Sequence, residues 1–278
     1  MLTPERIKKI ESFVYARPRS IDEIAKFIGK NWRTADRYVE EIAREYGTLA
    51  VHVFRAGSRG ALKIVFWKSF ESAGKSVFQE QLEHDILVGK TKEDFLAFDI
   101  FQYVSDAHKS ATIQSVPREE STNSHDFAEK LRATQKQLLL FSGNLSFINL
   151  KYEGREIFNE LELLVKRKVS IKILCRVDVA SLHNVERMLA LNFKYGTELV
   201  EIRHRTQPLR ASISDGKLIR LKEVKEPTGR IRELNKKTFI FYTIKDKDWA
   251  EWLSRVFWKM FSVSIDANRR VEELKKLK

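Results

Sequence analysis

Apolar residues recur at helical spacing through the first forty-six positions and then switch to alternation. Thr3-Pro4 starts a first helix, with a capping hydroxyl followed by proline where no amide donor is needed. Ile7, Ile10 and Val14 share one face of it, and Pro18 ends the run. Ser20 and Glu23, three apart, form a capping box ahead of Ile21, Ile24, Ala25 and Ile28. Gly29 stops this second helix, and Asn31 caps a third whose apolar face is Ala35, Tyr38, Val39, Ile42 and Tyr46. After Gly47 the segments Leu49–Phe54 and Ala61–Trp67 are β-branched, aromatic and roughly alternating. They predict a hairpin whose tip, Arg55–Gly60, carries two glycines and two arginines.

Two helices joined by a short glycine turn are the pattern of a helix-turn-helix, and the following hairpin supplies a wing. The expectation is an α+β winged helix-turn-helix DNA-binding domain over residues 1–68. In such a domain the start of the second paired helix reaches base edges. That selects Lys30, Asn31, Trp32, Arg33, Thr34 and Arg37 as contacts to double-stranded DNA. Arginine takes guanine in bidentate fashion, and threonine meets a thymine methyl or a phosphate. Arg55, Ser58, Arg59 and Lys63 on the hairpin suit phosphates or a narrow minor groove. Asp36, Glu40 and Glu41 on the third helix weigh against deep insertion. A small α+β module that binds protein has the same pattern.

Residues 69–110 read as a helical linker with two segments, Ser76–Val88 and Lys92–Val104. The second carries Phe95, Phe98, Phe101 and Tyr103, which are expected either to pack on a neighbouring domain or to form a dimer surface. Residues 110–125 read as a loop. From Asp126, helices and strands alternate. The strands fall at Leu138–Phe141, Val169–Leu174 and Glu198–Ile202, with helices at Asp126–Gln135, Arg155–Val165 and Asn184–Leu191. Asp215-Gly216 between two apolar runs is a hairpin turn. A last strand, Thr238–Tyr242, feeds a long helix with Trp249, Trp252, Leu253, Val256, Phe257 and Met260 on one face. That stripe is a core or oligomer face. The alternation predicts an α/β sheet over residues 111–278 with a helical C-terminus.

The chain of 278 residues carries a net charge of +13, which favours an anionic partner. Residues 1–68 hold 14 Lys/Arg against 8 Asp/Glu, residues 69–136 hold 8 against 12, and residues 137–278 hold 29 against 18. The basic ends, not the acidic middle, are where nucleic acid is expected. One cysteine, Cys175, excludes an intramolecular disulfide and a cysteine-cluster zinc site. No His/Asp/Glu group shows metal-ligand spacing, so neither metal nor cofactor is expected. No stretch reaches the roughly 18 apolar residues of a membrane span, and the charged start lacks a signal-peptide core, so cytoplasm is the expected compartment.

The hairpin around Asp215-Gly216, the run Ile244–Leu253 and the late pair Phe257-Trp258 complete a resemblance that covers residues 1–68 and roughly 126–262. The chain resembles archaeal TrmB-type transcription regulators, in which a winged helix precedes a degenerate phospholipase-D-like domain. The resemblance implies a homodimeric regulator with a small-molecule effector of unknown identity. Active phospholipase-D enzymes use His-x-Lys-x4-Asp, the histidine attacking phosphorus. Aligning the aspartate on Asp215 puts Arg210 at the lysine position and Pro208 at the histidine position, and proline is no nucleophile. His52, His84, His108, His125, His183 and His204 are followed two places on by Phe, Ile, Ser, Phe, Val and Thr, so none starts the motif. A non-catalytic domain is therefore expected. A nuclease targeted by its winged helix and an adaptor of the transcription machinery are the competing readings. Arg203, Arg205, Arg210 and Asp215 surround the lost site as a candidate anion or effector site, and a solvated basic rim has the same composition; Lys166–Lys168 carries the same two readings. The basic loop Lys222–Lys237 reads as an ordinary exposed loop, with contact to DNA as the alternative.

Overall fold

The computed structural model describes residues 2–55, 61–67, 75–115, 122–226 and 237–276. The chain opens with α1 (Pro4–Ala16), β1 (Arg19–Ser20), α2 (Ile21–Phe27) and α3 (Trp32–Glu45). A hairpin of β2 (Leu49–Arg55) and β3 (Ala61–Trp67) follows, and the sheet order is β1-β3-β2. The local chemistry is as expected. Thr3 accepts from the Arg6 amide at 3.4 Å, and the Ser20–Glu23 capping box closes with contacts of 2.8 and 3.2 Å. Gly29 ends α2 at φ +64°, a left-handed conformation that glycine adopts without steric cost. Ile10, Ile21, Ile24, Val39, Ile42 and Val65 close a core of their own.

Strand periodicity divides the hairpin between two partners. Leu49 and Val65 face the three helices. Phe54 and Ile64 face the other way, into a core shared with the rest of the chain. That core is lined by residues from the segment expected to be a linker: α4 (Lys75–Val88) supplies Leu82 and Ile86, and α5 (Ala97–Phe101) supplies Phe98, Ile100 and Phe101. The expected helix Lys92–Val104 is thus reduced to five residues. Asp94 accepts from the amides of Lys90 and Thr91 at 2.9 and 2.8 Å, forming a turn, and Leu96 is extended. The aromatics Phe95, Phe98 and Phe101 are at most 5% exposed. They are therefore packing residues within one chain and not a dimer surface. Ten of the sixteen residues of the expected loop 110–125 lie in regular elements: β4 (Lys109–Ser115) is an edge strand, and α6 (Thr122–Ala133) follows. The expected break at 110/111 would cut β4 near its start.

The remaining elements are β5 (Gln137–Phe141), a small hairpin of β6 (Lys151–Tyr152) and β7 (Arg155–Glu156), α7 (Ile157–Lys166), β8 (Ser170–Cys175), α8 (Leu182–Tyr195), β9 (Val200–His204), β10 (Ala211–Ser214), β11 (Leu218–Lys225), β12 (Thr238–Ile244), α9 (Lys247–Ser262), β13 (Ile265–Asp266) and α10 (Ala267–Lys275). Eight strands form one sheet in the order β13-β9-β8-β5-β10-β11-β12-β4. The pairs β5–β8 and β8–β9 are parallel, and the rest are antiparallel. One face packs on α9, through Trp249, Leu253, Val256, Phe257 and Met260, and on α5. The other packs on α6, α7, α8 and α10. The closing elements β13 and α10 lie beyond the long helix that the sequence reading ended on.

Candidate nucleic-acid interface

Asn31 accepts the Thr34 amide at 2.9 Å, so its side chain holds the first turn of α3 in place. Trp32 is half-buried against the three-helix core, and Lys30, Arg33 and Arg37 are the exposed cations at the start of α3. None of these three cations makes an ion pair with a described residue. Arg37 lies 5.5 Å from the centroid of Tyr38, and Arg6 from α1 approaches the same ring at 5.9 Å. Arg6 thus brings a second helix to this surface. No sequence spacing links positions 6 and 37; only the packing of α1 across α3 does.

Lys63 has a different place from the one expected. Its ammonium sits 2.7 and 2.8 Å from the two carboxylate oxygens of Asp36 and 3.0 Å from Glu40. Burial alone would lower its pKa, but the hydrogen bonds and charges of Asp36 and Glu40 outweigh that and raise it. Lys63 is therefore a partner of α3 and not a phosphate contact, because its donors are already taken. The consequence for the helix is favourable to an anionic partner: two of the three carboxylates that weigh against insertion are paired from the hairpin, and one of their two charges is offset. Arg55 ends β2, and its side chain lies outside the described residues, as do Ser58 and Arg59.

The four residues expected to ring a lost site are not brought together. Arg210 and Asp215 flank opposite ends of β10. Asp215 lies in a turn with Gly216, at φ +53° and +64°, the geometry of a tight hairpin. Burial opposes its charge, but the amides of Gln137, Gln135 and Lys136 donate to it at 3.0, 2.9 and 2.7 Å and hold its pKa below the usual carboxylate range. It ties the turn to the start of β5. Arg203 is held by Glu201 at 2.7 Å and by the Ser264 carbonyl at 3.2 Å. Arg205 reaches the Leu87 carbonyl at 3.5 Å. Pro208 is buried under α4: a Cβ on Gly89 would meet the proline ring at 2.8 Å. His204, the histidine at the same sheet end, accepts the Val177 amide at 2.8 Å, and burial lowers its pKa, so Nδ1 is already engaged. Of Lys166–Lys168, Arg167 donates to the carbonyls of Arg132 and Thr134 at 2.6 and 2.9 Å.

Among the described residues no cluster of His, Cys, Asp and Glu could hold a metal, and no helix is long and apolar enough to cross a membrane. No protein-family model matches the chain, and no curated protein matches it. Among solved structures it is similar to a phospholipase D family member, Nuc, from Salmonella typhimurium (12% identity, 57% of this chain and 97% of that one, TM-score 0.42). NucT from Helicobacter pylori is similar over 57% of this chain and 99% of that one (14%, TM-score 0.39). TrmBL2, an archaeal chromatin protein with a novel mode of DNA binding, is similar over 95% of this chain and 94% of that one (14%, TM-score 0.40). At such identities and TM-scores the likeness carries no argument, and the functional reading rests on the geometry of this chain.

Proposed function

We infer that the chain is a DNA-binding regulator whose first 67 residues act as a winged helix-turn-helix. The observation that supports this is the division of charge on α3. Lys30, Arg33 and Arg37 face solvent, while Asp36 and Glu40 are held by Lys63. A helix start with outward cations and with its carboxylates paired to Lys63 suits the major groove. The C-terminal α/β domain acts without catalysis in this reading. The position that a phosphodiester nucleophile would need is a buried proline, and His204, at the same sheet end, has its Nδ1 taken by the Val177 amide. We include homodimerisation in the proposal, since a two-fold protein matches a palindromic site; sedimentation of the full chain measures it. Fluorescence anisotropy with a mixed-sequence duplex tests the DNA-binding core of the reading. Binding is expected to weaken with salt, and Arg33→Ala with Arg37→Ala is expected to weaken it roughly a hundredfold and flatten the salt slope by about 2. Unchanged affinity in the double variant removes α3 as the reading element.

A further inference from the structure

Five adjacent strands of the large sheet, in the order β8-β5-β10-β11-β12, bring chain ends to one end of the sheet. Parallel pairing of Gln137 with Ser170 sets the start of β5 beside the start of β8. Ser214 opposite Leu138 puts the β10–β11 turn at the same end, and Ile219 opposite Ile244 adds the end of β12. Each of these places carries a lysine: Lys168 precedes β8, Lys136 precedes β5, Lys217 closes the β10–β11 turn and Lys245 follows β12. All four are exposed, and none makes an ion pair with a described residue. Backbone contacts fix where they stand. The Lys168 amide donates to the Val165 carbonyl at 3.0 Å, and the Ser170 amide to the Lys136 carbonyl at 3.0 Å. The Lys136 amide donates to Asp215 Oδ1 at 2.7 Å. The Lys217 amide donates to the Ser214 carbonyl at 3.0 Å, and the Lys245 amide to the His108 carbonyl at 2.8 Å. The carboxylates inside the row serve backbone amides: Asp215 those of Gln135, Lys136 and Gln137, and Asp246 that of Trp249 at 3.2 Å. Glu198, ahead of β9, and Asp248, in the first turn of α9, are exposed carboxylates that flank the row.

Neighbouring strands lie about 4.8 Å apart, so the row runs roughly 19 Å from β8 to β12. Like charges strung along a line repel one another, and a polyanion laid on them removes that repulsion. Over the same length one strand of a duplex presents a phosphate about every 3.4 Å of axis. Lysine is a compact point charge on a flexible stem, suited to phosphate oxygens without reading bases. Exposed ammonium groups in a line favour an extended polyanion over a small one. Pro208 and Arg210 lie at the other end of β10, so the row is separate from the position of the lost nucleophile. We propose that Lys168, Lys136, Lys217 and Lys245 form a second surface for duplex DNA, on the α/β domain, that holds phosphates whatever the base sequence. The choice of partner rests on the DNA reading of the winged module; the row itself does not depend on α3.

Fluorescence anisotropy of the full chain with a long mixed-sequence duplex tests this. Replacing the whole row (Lys136→Gln, Lys168→Gln, Lys217→Gln and Lys245→Gln) is expected to lower affinity roughly thirtyfold and to flatten the salt slope by about 3. The loss is expected to be the same on an unrelated sequence. A control with Lys90→Gln, Lys151→Gln, Arg155→Gln and Lys276→Gln removes as many exposed cations away from the row and is expected to keep affinity and slope. Acetylation of the parent chain needs no variant to fold: bound duplex is expected to shield the four lysines of the row but not Lys90 or Lys151. Equal affinity in the row variant and the parent, or acetylation of the row unchanged by duplex, overturns the surface and leaves the winged module's role standing. Loss in the row variant with unchanged affinity in Arg33→Ala plus Arg37→Ala keeps the row and removes α3. Capture of the parent by phosphatidylserine vesicles, lost in the row variant while duplex affinity is kept, overturns DNA as the partner. A parent that binds no duplex overturns both.

Discussion

Individual side chains in this protein have roles that their charge alone does not reveal. Lys63 is a cation on a basic module, yet it acts on α3 through Asp36 and Glu40. Lys63→Met is therefore expected to weaken duplex binding by exposing two carboxylates to phosphate. Adding Asp36→Asn is expected to recover most of the loss in an anisotropy titration, and no recovery would make Lys63 a direct contact. Asp99 is the converse case, a carboxyl in the shared core. Burial pushes its pKa up to about 7, Glu223 adds to that, and the Leu96 amide, donating at 3.1 Å, pulls the other way. Its other oxygen, Oδ1, has no partner. The folded chain thus holds this proton more tightly than the unfolded chain, whose pKa is near 3.8. The contribution is full below that value and falls as pH rises toward 7. Asp99→Asn should be neutral at pH 4 and stabilising by about 1–3 kcal/mol at pH 8 by urea denaturation. An equal effect at both pH values would show that the pKa of Asp99 does not change on folding.

Elements follow their end signals where those signals are local. The caps of α1, α2 and α3 are closed by Thr3, Ser20 and Asn31. The Asn31 cap bears on function, because the same side chain was expected to touch DNA. Asn31→Ala is expected to cost about 1 kcal/mol and to loosen the first turn of α3. Asn31→Ser, which keeps the cap, is expected to restore both stability and duplex affinity in parallel. Affinity lost in Asn31→Ser at full stability would instead mark a base contact. Elements fail to follow the pattern where long-range burial overrides it. The aromatic run at 95–104 has helical spacing, but its rings are drawn to Tyr242 and Phe54, and only five residues stay helical.

At the scale of the molecule the hairpin is the joint. Its odd residues close the three-helix core, and its even residues enter the core of the eight-stranded sheet. Phe98 is the hub, with the rings of Phe66, Phe101, Phe54, His52 and Tyr242 at 5.5, 5.9, 6.0, 6.2 and 6.4 Å. Phe98→Ala is expected to cost about 3–5 kcal/mol and to separate one cooperative denaturation transition into two. A single transition of unchanged midpoint would show that the two cores are not coupled through this ring.

The amino-acid sequence by itself determined α1, α2 and α3 with their caps, the hairpin turn at Asp215-Gly216 and the alternation of strand and helix after Asp126. These rest on interactions within a few residues of one another, which a linear pattern records. Packing alone decided that residues 75–115 belong to the large core, that Lys63 serves α3, that Arg6 stands beside Arg37, and that Arg210 is separated from Asp215. Each of those facts depends on which strand lies beside which, and on where burial of aromatic surface outweighs local preference. That is settled only when distant segments meet.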